Sequence, residues 1–344
     1  MLLLCLESSC DETSAAVVRA GREVLSNVIA SQVDVHARYG GVVPELASRK
    51  HLEALPVVIA EALDKAQVDI GAIEGVAVTR GPGLVGALLV GLAAAKALAF
   101  ARGIPWVGVH HIEGHALAIQ LEREVAYPFV CLIVSGGHTH LYRVDGVGRY
   151  RTLGRTLDDA AGEAYDKVAK LLGLGYPGGA VMDRLAAEGD PEAIVFPRPL
   201  LHQDNLDFSF SGIKTAVLNY VNRQSAPIAG QHLKDLAAGF QRAAVEVLTA
   251  KALRALDATG MRRLVVAGGV ACNRGLRQAL QQAAAQRDIE VFFPSPLLCT
   301  DNAAMLGVAA QDYLQRGFAS PLDLNALASW PLDRAGDDFS RDLH

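Results

Sequence analysis

The 344-residue sequence lacks a cysteine framework, an excess of positive charge, a long uncharged apolar run and any low-complexity tract, and each absence removes a class of protein. Its five cysteines, Cys5, Cys10, Cys131, Cys272 and Cys299, are odd in number, far apart and form no C-x-x-C pair, which fits reduced thiols in the cytosol. Net charge is −5 with a pI near 6.1, which argues against a free-standing nucleic-acid binder that works through bulk charge. The opening MLLLCLESSCDE has no basic segment before its apolar residues and turns acidic at once, so no export signal is expected. The most apolar stretch, Leu84 to Phe100, is short for a membrane span and carries Lys96; it is expected as a buried helix of a soluble, cytoplasmic protein with no membrane partner.

What remains is a chain with 51% hydrophobic residues, able to bury a large core and long enough for two domains. Local basic clusters do occur, at Ser48 to His51, Arg149 to Arg155 and Arg274 to Arg277; each could touch phosphate, although solvated faces commonly look the same. The sequence opens as strand (Leu2 to Glu7), polar turn SSCDETS, strand (Ala15 to Ala20), strand (Arg22 to Ala30). The plan returns at Phe129 to Val134, the turn SGGHT, then HLYRV and RYRTLG, with the two Cys-Leu pairs 126 residues apart. GVAVTRGPGLVGALLVGLAAAKALA and RLVVAGGVACNRGLRQAL repeat a strand-turn-helix order, so the pattern predicts a duplication of two α/β lobes, with ligand bound where the turns face each other. Helices are expected over 44–65, 160–172, 178–188, 233–257 and 301–316, and a loop or lid over 191–206.

Val109 to His115 reads VHHIEGH. On a helix, His111 and His115 are four apart and share a face, while His110 points elsewhere. Two imidazoles make a poor metal site alone, since catalytic zinc or iron sites take about three protein ligands. The metalloprotease pattern H-E-x-x-H puts its acid directly after the first histidine. Glu113 comes two residues after His111, a rotation of about 100° away from that place. The peptidase reading weakens and a metal site stays open against a helix that merely carries histidines. Asp301, in CTDNAAM, is either a helix N-cap or the third ligand.

The turns offer further chemistry. Glycine lets backbone N–H groups approach an anion, and SGGHTH from Ser135 to His140 fits that need, as it also fits an ordinary hairpin. SSCDETS is its counterpart, where Asp11 and Glu12 would hold a metal, orient water near phosphate, or simply cap the turn. GGVACN ends a strand and opens a helix. Asp166 lies on a helix before the turn GYPGG, with Asp183 after it, and carboxylates so placed suit ribose hydroxyls. DFSFSGIKTA, with Lys214, is read as lid or substrate surface.

Together, SSCDETS, GGVVPELASR, TRGPGLVGALLVG, HHIEGH, VSGGHT, GEAYDKVAKLLGLGYPGG, DFSFSGIKTA, GGVACN and SPLLCTDNAAM resemble the TsaD family, from about Leu4 to Gly317 and in the expected order. The resemblance implies an actin-like ATPase fold of the sugar-kinase and heat-shock-protein type, with two duplicated lobes around a central cleft. It places the first lobe at 1–108, joined by C-terminal helix residues, the second lobe, with the metal site and the nucleotide-binding turns, at 109–325, and a C-terminal tail at 326–344. It implies transfer of a threonylcarbamoyl group from threonylcarbamoyl-AMP to N6 of adenosine 37 in tRNAs reading ANN codons, giving AMP. By the same resemblance His111, His115 and Asp301 hold one divalent metal, Fe2+ or Zn2+. Val134, Ser135, Gly136, Gly137 and His138, with Asp166, Gly179, Asp183 and Asn273, bind the adenylate. The implied partners are tRNA, a TsaB-like paralogue, a TsaE-like ATPase and a TsaC-like enzyme that supplies the adenylate. Asp11 and Glu12 are assigned to the phosphate side and its water. Two departures are visible, Ala180 where proline is usual after YPGG and Tyr165 where phenylalanine is usual; the first bears only on the stiffness of that turn. A nucleotide-driven binding module would use the same turns but needs no metal triad.

Overall fold

The structure, a computed structural model, describes residues 1–339. The strands are β1 (Leu2–Glu7), β2 (Glu12–Arg19), β3 (Glu23–Ser31), β4 (Gly75–Gly81), β5 (Trp106–His110), β6 (Phe129–Val134), β7 (Thr139–Gly146), β8 (Arg149–Arg155), β9 (Arg263–Ala267) and β10 (Glu290–Phe292). The helices are α1 (Val33–Ala37), α2 (Pro44–Lys65), α3 (Val85–Arg102), α4 (His111–Leu117), α5 (Ala161–Leu171) and α6 (Gly179–Ala186). They continue with α7 (Ser211–Asn222), α8 (Gly230–Thr259), α9 (Arg274–Ala285), α10 (Pro296–Cys299) and α11 (Gly307–Gln315). Two five-stranded sheets result, ordered β3-β2-β1-β4-β5 and β10-β9-β6-β7-β8. Read from opposite ends the orders coincide, so the duplication legible in the sequence is a duplication of topology.

The chain divides into two compact units, one of Met1–Tyr127, Val144–Arg151 and 294–339, the other of Pro128–Arg143 and Thr152–Phe293. In the first, β1 pairs antiparallel with β2 (Leu4 opposite Val17) and parallel with β4 (Leu4 opposite Val76). Both faces of β1 are covered, which is why LLLCLE is unbroken by polar residues. Leu4 and Leu6 pack with Leu55, Val58 and Leu92 from α2 and α3; Leu3 and Cys5 pack with Met305, Ala309 and Tyr313 from the α11 side. Pro44 opens α2 at a first-turn position where its missing N–H has no helical partner to lose. Gly103 ends α3 at φ +62, where a side chain would be strained. The helix expected to be buried, α3, buries one face, through Ala87, Leu88, Gly91, Leu92, Ala95 and Ala99. Val85, Leu89 and Phe100 are exposed, Phe100 by 76%. It is the one described helix long and apolar enough to cross a membrane, and its buried face lies against the first sheet's core.

The expected boundaries at 108/109 and 325/326 differ from these units. β5 runs into α4 without a loop, and α4 packs against α11, so the VHHIEGH segment and Asp301 belong to the first unit. Residues 318–335 are part of it as well. Ser320 N–H donates to Trp106 O at 2.8 Å, Arg80 Nε to Asn325 O at 3.0 Å and Leu327 N–H to Arg80 O at 3.0 Å, so this stretch runs beside β4 and covers β5, an edge strand. Trp330, Leu332, Ala335 and Phe339 are buried. Residues 340–344 of the expected tail lie outside the described residues.

In the second unit β6 and β9 are parallel, with Val130 opposite Leu264, and β10 is parallel to β9. The long α8 ends at Gly260, φ +67. Residues 191–206 contain no helix or strand, as expected. They are nevertheless anchored: the buried Lys251 ammonium donates to Asn205 O at 2.5 Å and to Asn205 Oδ1 at 3.0 Å.

Candidate metal centre and nucleotide-side turns

In the first unit, α4 starts where it does because the His110 ring caps it, accepting from Ile112 N–H at 3.1 Å through Nδ1 while its Nε2 donates to Trp330 O at 2.9 Å. Burial holds this ring neutral, down to about 3. His110 is therefore a cap, and the next turn carries His111 and His115 on one face. Asp301 reaches them from the loop between α10 and α11. It does not start a helix, contrary to the expected 301–316 span; Asn302 does the capping, its Oδ1 accepting from Met305 N–H at 3.1 Å. The Asp301 carboxylate is thereby left to the histidines, 3.0 Å from His115 Nε2 and 3.6 Å from His111 Nε2.

One ligand atom from each of His111, His115 and Asp301 lies within 4.8 Å of the others. Behind His111, its Nδ1 meets Glu7 Oε2 at 3.1 Å and Ser9 Oγ at 3.2 Å, which turns Nε2 toward Asp301. Glu7 is itself fixed by Ser9 N–H at 2.6 Å and by the Thr79 hydroxyl. A carboxylate that orients a ligating imidazole from its far nitrogen is the usual support of a metal site. The electrostatics agree: burial works against a charged His111, yet Asp301 and Glu7 hold it up to about 9, so the cluster favours positive charge. Two imidazole nitrogens and one carboxylate suit zinc or iron(II) and leave coordination positions open. Nδ1 of His115 is buried with no hydrogen-bond partner.

Glu113 takes no part in the cluster. Its Oε1 accepts from Tyr150 OH at 2.7 Å, Tyr313 OH at 2.8 Å and Gly148 N–H at 2.9 Å. Burial raises its pKa against these three donors. It ties α4 to α11 and to the β7–β8 tip, which removes it as a general base. Asp11 and Glu12 stand at the start of β2, in the same unit. Burial, then Asp11 and Asp301, raise Glu12 to about 8, and Ser31 Oγ donates to it at 2.8 Å.

In the second unit, Ser135 N–H donates to His138 O at 2.8 Å and His138 N–H to Ser135 Oγ at 3.1 Å, closing the SGGH turn. A Cβ on Gly136 or Gly137 would meet no atom within 4 Å, so packing does not demand glycine there and the backbone is open to approach. The turn is backed by α5, where a Cβ on Gly162 would come 2.6 Å from Ser135 O. GGVACN sits beside it: Gly268, φ +90, would clash through a Cβ with Val134 O. Both turns leave the carboxyl ends of neighbouring parallel strands, β6 and β9, where α/β sheets bind ligands.

The remaining predicted residues are tied into the fold. Asp166 Oδ1 accepts from Gly178 N–H at 2.7 Å, steadying the turn that presents Gly179. Asp183 pairs with Arg274 Nε at 2.8 Å. Asn273 caps α9 through Leu276 N–H at 2.9 Å. Gln241, absent from the sequence-based set, joins the last two: its Nε2 donates to Asp183 Oδ1 at 3.1 Å and its Oε1 accepts from Asn273 Nδ2 at 2.7 Å. It lies in α8 among many other polar or charged residues, and nothing in the sequence singles it out. At the candidate metal centre the missed residue is Glu7, an acid closing an apolar strand.

The sequence model of the family described as "TsaD: tRNA N6-adenosine threonylcarbamoyltransferase" matches residues 23–308. A tRNA N6-adenosine threonylcarbamoyltransferase of Syntrophotalea carbinolica is 70% identical over 336 residues, covering 98% of each chain. That of Geobacter metallireducens is 66% identical over 333 residues, covering 97% of this chain and 98% of its own. Among solved structures, HypF of T. kodakarensis aligns with TM-score 0.62 at 12% identity, over 92% of this chain and 48% of its own. Component A of (R)-2-hydroxyglutaryl-CoA dehydratase from Acidaminococcus fermentans aligns with TM-score 0.56 at 14% identity, over 91% and 98%. These two likenesses concern the fold, which is the actin-like ATPase fold.

Proposed function

The chain belongs to the TsaD family, the tRNA N6-adenosine threonylcarbamoyltransferases, and from that premise we propose how its residues divide the reaction. It transfers a threonylcarbamoyl group to N6 of an adenosine in tRNA. The donor we assign is threonylcarbamoyl-AMP, a mixed anhydride already activated for attack, with adenosine 37 of ANN-reading tRNAs as acceptor and AMP as the leaving group. The N6 amine is a weak nucleophile because its lone pair is delocalised into the ring. Positioning and charge stabilisation therefore carry most of the catalysis.

His111, His115 and Asp301 would hold a divalent metal, with Fe2+ or Zn2+ fitting the donor set. When bound, that ion supplies Lewis-acid polarisation of the threonylcarbamoyl oxygens. Glu7 and Ser9 keep His111 turned to its ligand position. The open backbone of Gly136 and Gly137, with Val134, Ser135 and His138, would receive the adenylate, helped by Asp166, Gly179, Asp183 and Asn273. Asp11 and Glu12 would stand on the phosphate side and order water there. A TsaB-like paralogue, a TsaE-like ATPase and a TsaC-like source of the adenylate complete the system, in the cytoplasm. The observation that carries the site assignment is the convergence of His111, His115 and Asp301 with Glu7 behind. Incubating the chain and its partners with unmodified tRNA and threonylcarbamoyl-AMP, then digesting the tRNA and weighing its nucleosides, tests the reaction. Absence of the threonylcarbamoyl nucleoside would sink it.

A further inference from the structure

The candidate metal centre and the turns leave the basic run Arg149 to Arg155 unused. It forms β8, the last strand of its sheet, whose outer edge meets residues 206–208 only at its C-terminal end, where Phe208 N–H donates to Arg155 O at 3.0 Å. Side chains alternate along a strand. Tyr150 and Gly154 are buried, and Arg149, Arg151 and Arg155 are exposed on the other face, with Leu153 between the last two. At roughly 3.4 Å per residue, Arg149 and Arg151 stand about 6.8 Å apart, and Arg155 about twice that farther on. Successive phosphates along one strand of nucleic acid are separated by a similar distance.

The ion pairing of these arginines is the second observation. In a chain with more acids than bases, Arg19, Arg22, Arg49, Arg242, Arg274 and Arg287 each face a carboxylate within 4.0 Å. Among the described residues, Arg149, Arg151 and Arg155 have no carboxylate partner. Arg149 donates only to the Asp145 carbonyl, at 3.0 Å. The nearby Asp207 accepts from the Arg155 backbone N–H rather than from its guanidinium. Three guanidinium groups on one strand face, unneutralised by the protein, are suited to anions from outside.

We propose that this face of β8 is a track for the ribose-phosphate backbone of the tRNA substrate, gripping it independently of base sequence. The proposal rests on the tRNA-modifying function given above. Guanidinium groups bind phosphate oxygens in a fork and release condensed counterions, so the track supplies the charge that the chain as a whole lacks. It also sets register, leaving base recognition to other surfaces.

The test is a tRNA titration of the full chain across a salt series, comparing wild type with R149Q/R151Q/R155Q, the corresponding triple lysine variant, and R19Q/R287Q. Each lost phosphate contact lowers the slope of log affinity against log salt by about 0.7 to 0.9, so the triple glutamine variant is expected to lose about two to three units and at least about ten-fold in low-salt affinity. The lysine variant retains the slope, and R19Q/R287Q matches wild type. Equal slopes and equal KM for tRNA in wild type and triple glutamine variant overturn the track, even if the variant aggregates more readily, since charge on an edge strand would then serve only solubility. A wild-type chain that shows no tRNA binding at low salt overturns it as well. Arginine-dependent binding without any threonylcarbamoyl nucleoside in the complete reaction refutes the functional reading and leaves the track standing.

Discussion

Glu113 lies between His111 and His115 in sequence and shares no bond with either in space. It accepts from three donors of the surrounding fold, and this separates two kinds of substitution. His111→Ala, His115→Ala and Asp301→Ala are each expected to abolish tight metal retention and most transfer activity while the fold persists, which cobalt or zinc titration beside a melting curve will show. Glu113→Ala leaves two tyrosine hydroxyls and a backbone N–H without their acceptor. Each orphaned group costs on the order of 1–3 kcal/mol, so urea unfolding should report a large loss. If Glu113→Gln removed activity at unchanged stability and metal content, the structural role would be wrong. His51 gives a pH signature. Its Nδ1 meets Thr13 Oγ1 at 2.8 Å, its Nε2 meets Cys10 O at 3.0 Å, and burial lowers its pKa although the Cys10 carbonyl opposes this. The folded chain then binds this proton less readily than the unfolded one. The stabilisation is full above the unfolded value of about 6.5 and is lost as pH falls through it toward the lower folded value. Melting temperature should drop more between pH 8 and 5 in wild type than in His51→Gln; parallel curves would remove the assignment.

Helix ends decide what the site residues can do. Asn273 is both a predicted adenylate ligand and the cap of α9, so Asn273→Ala should cost about 0.5–2 kcal/mol of stability as well as nucleotide affinity. Asn273→Asp restores the cap and separates the two effects. Asp166→Ala should weaken adenylate binding while sparing the metal. Titration with a nucleotide reads both, and unchanged affinity in Asp166→Ala and Asn273→Ala would mean the site lies elsewhere. The elements themselves were largely legible: the continuous apolar runs read as strands covered by helices, and the helix expected over 44–65 is α2, with Pro44 in its first turn. Asp301 was open to two readings because a cap and a ligand need the same residue type, and the neighbouring Asn302 bond removes the first of them. Gln241 was missed because it is one of many polar residues in α8, and Glu7 because an acid closing an apolar strand looks alike whether it supports a site residue or none. Asp11, Glu12 and the adenylate set came from resemblance; spacing alone shows turns, and turns have many uses.

For the whole molecule, the −5 net charge limits counterion release to local patches. The isolated chain should bind tRNA weakly at near-physiological salt and modify it poorly until its accessory proteins are added. Reconstitution with purified tRNA and threonylcarbamoyl-AMP, with and without the TsaB-like and TsaE-like proteins, measures this; sustained turnover by the chain alone would defeat it. Domain limits were only partly legible: C-terminal helix residues were expected to join the first lobe, whereas the sequence carries no sign that the first unit also takes Val144–Arg151 and reaches Tyr127.

That discontinuity fixes an order of assembly during synthesis. The second unit has all of its residues once Phe293 has been made, whereas the first still awaits everything from Pro294 onward. Its sheet strands are made before residue 111, yet the helix that covers one face of that sheet, the stretch that runs beside its edge and the third member of the metal cluster are all translated last. A growing chain therefore presents β1 with one face bare while every residue of the second unit has already been made, the reverse of the usual N-terminal-first order. Chains interrupted anywhere between Phe293 and Asp301 would carry every residue of the second unit and only two of the three residues whose ligand atoms converge in the first.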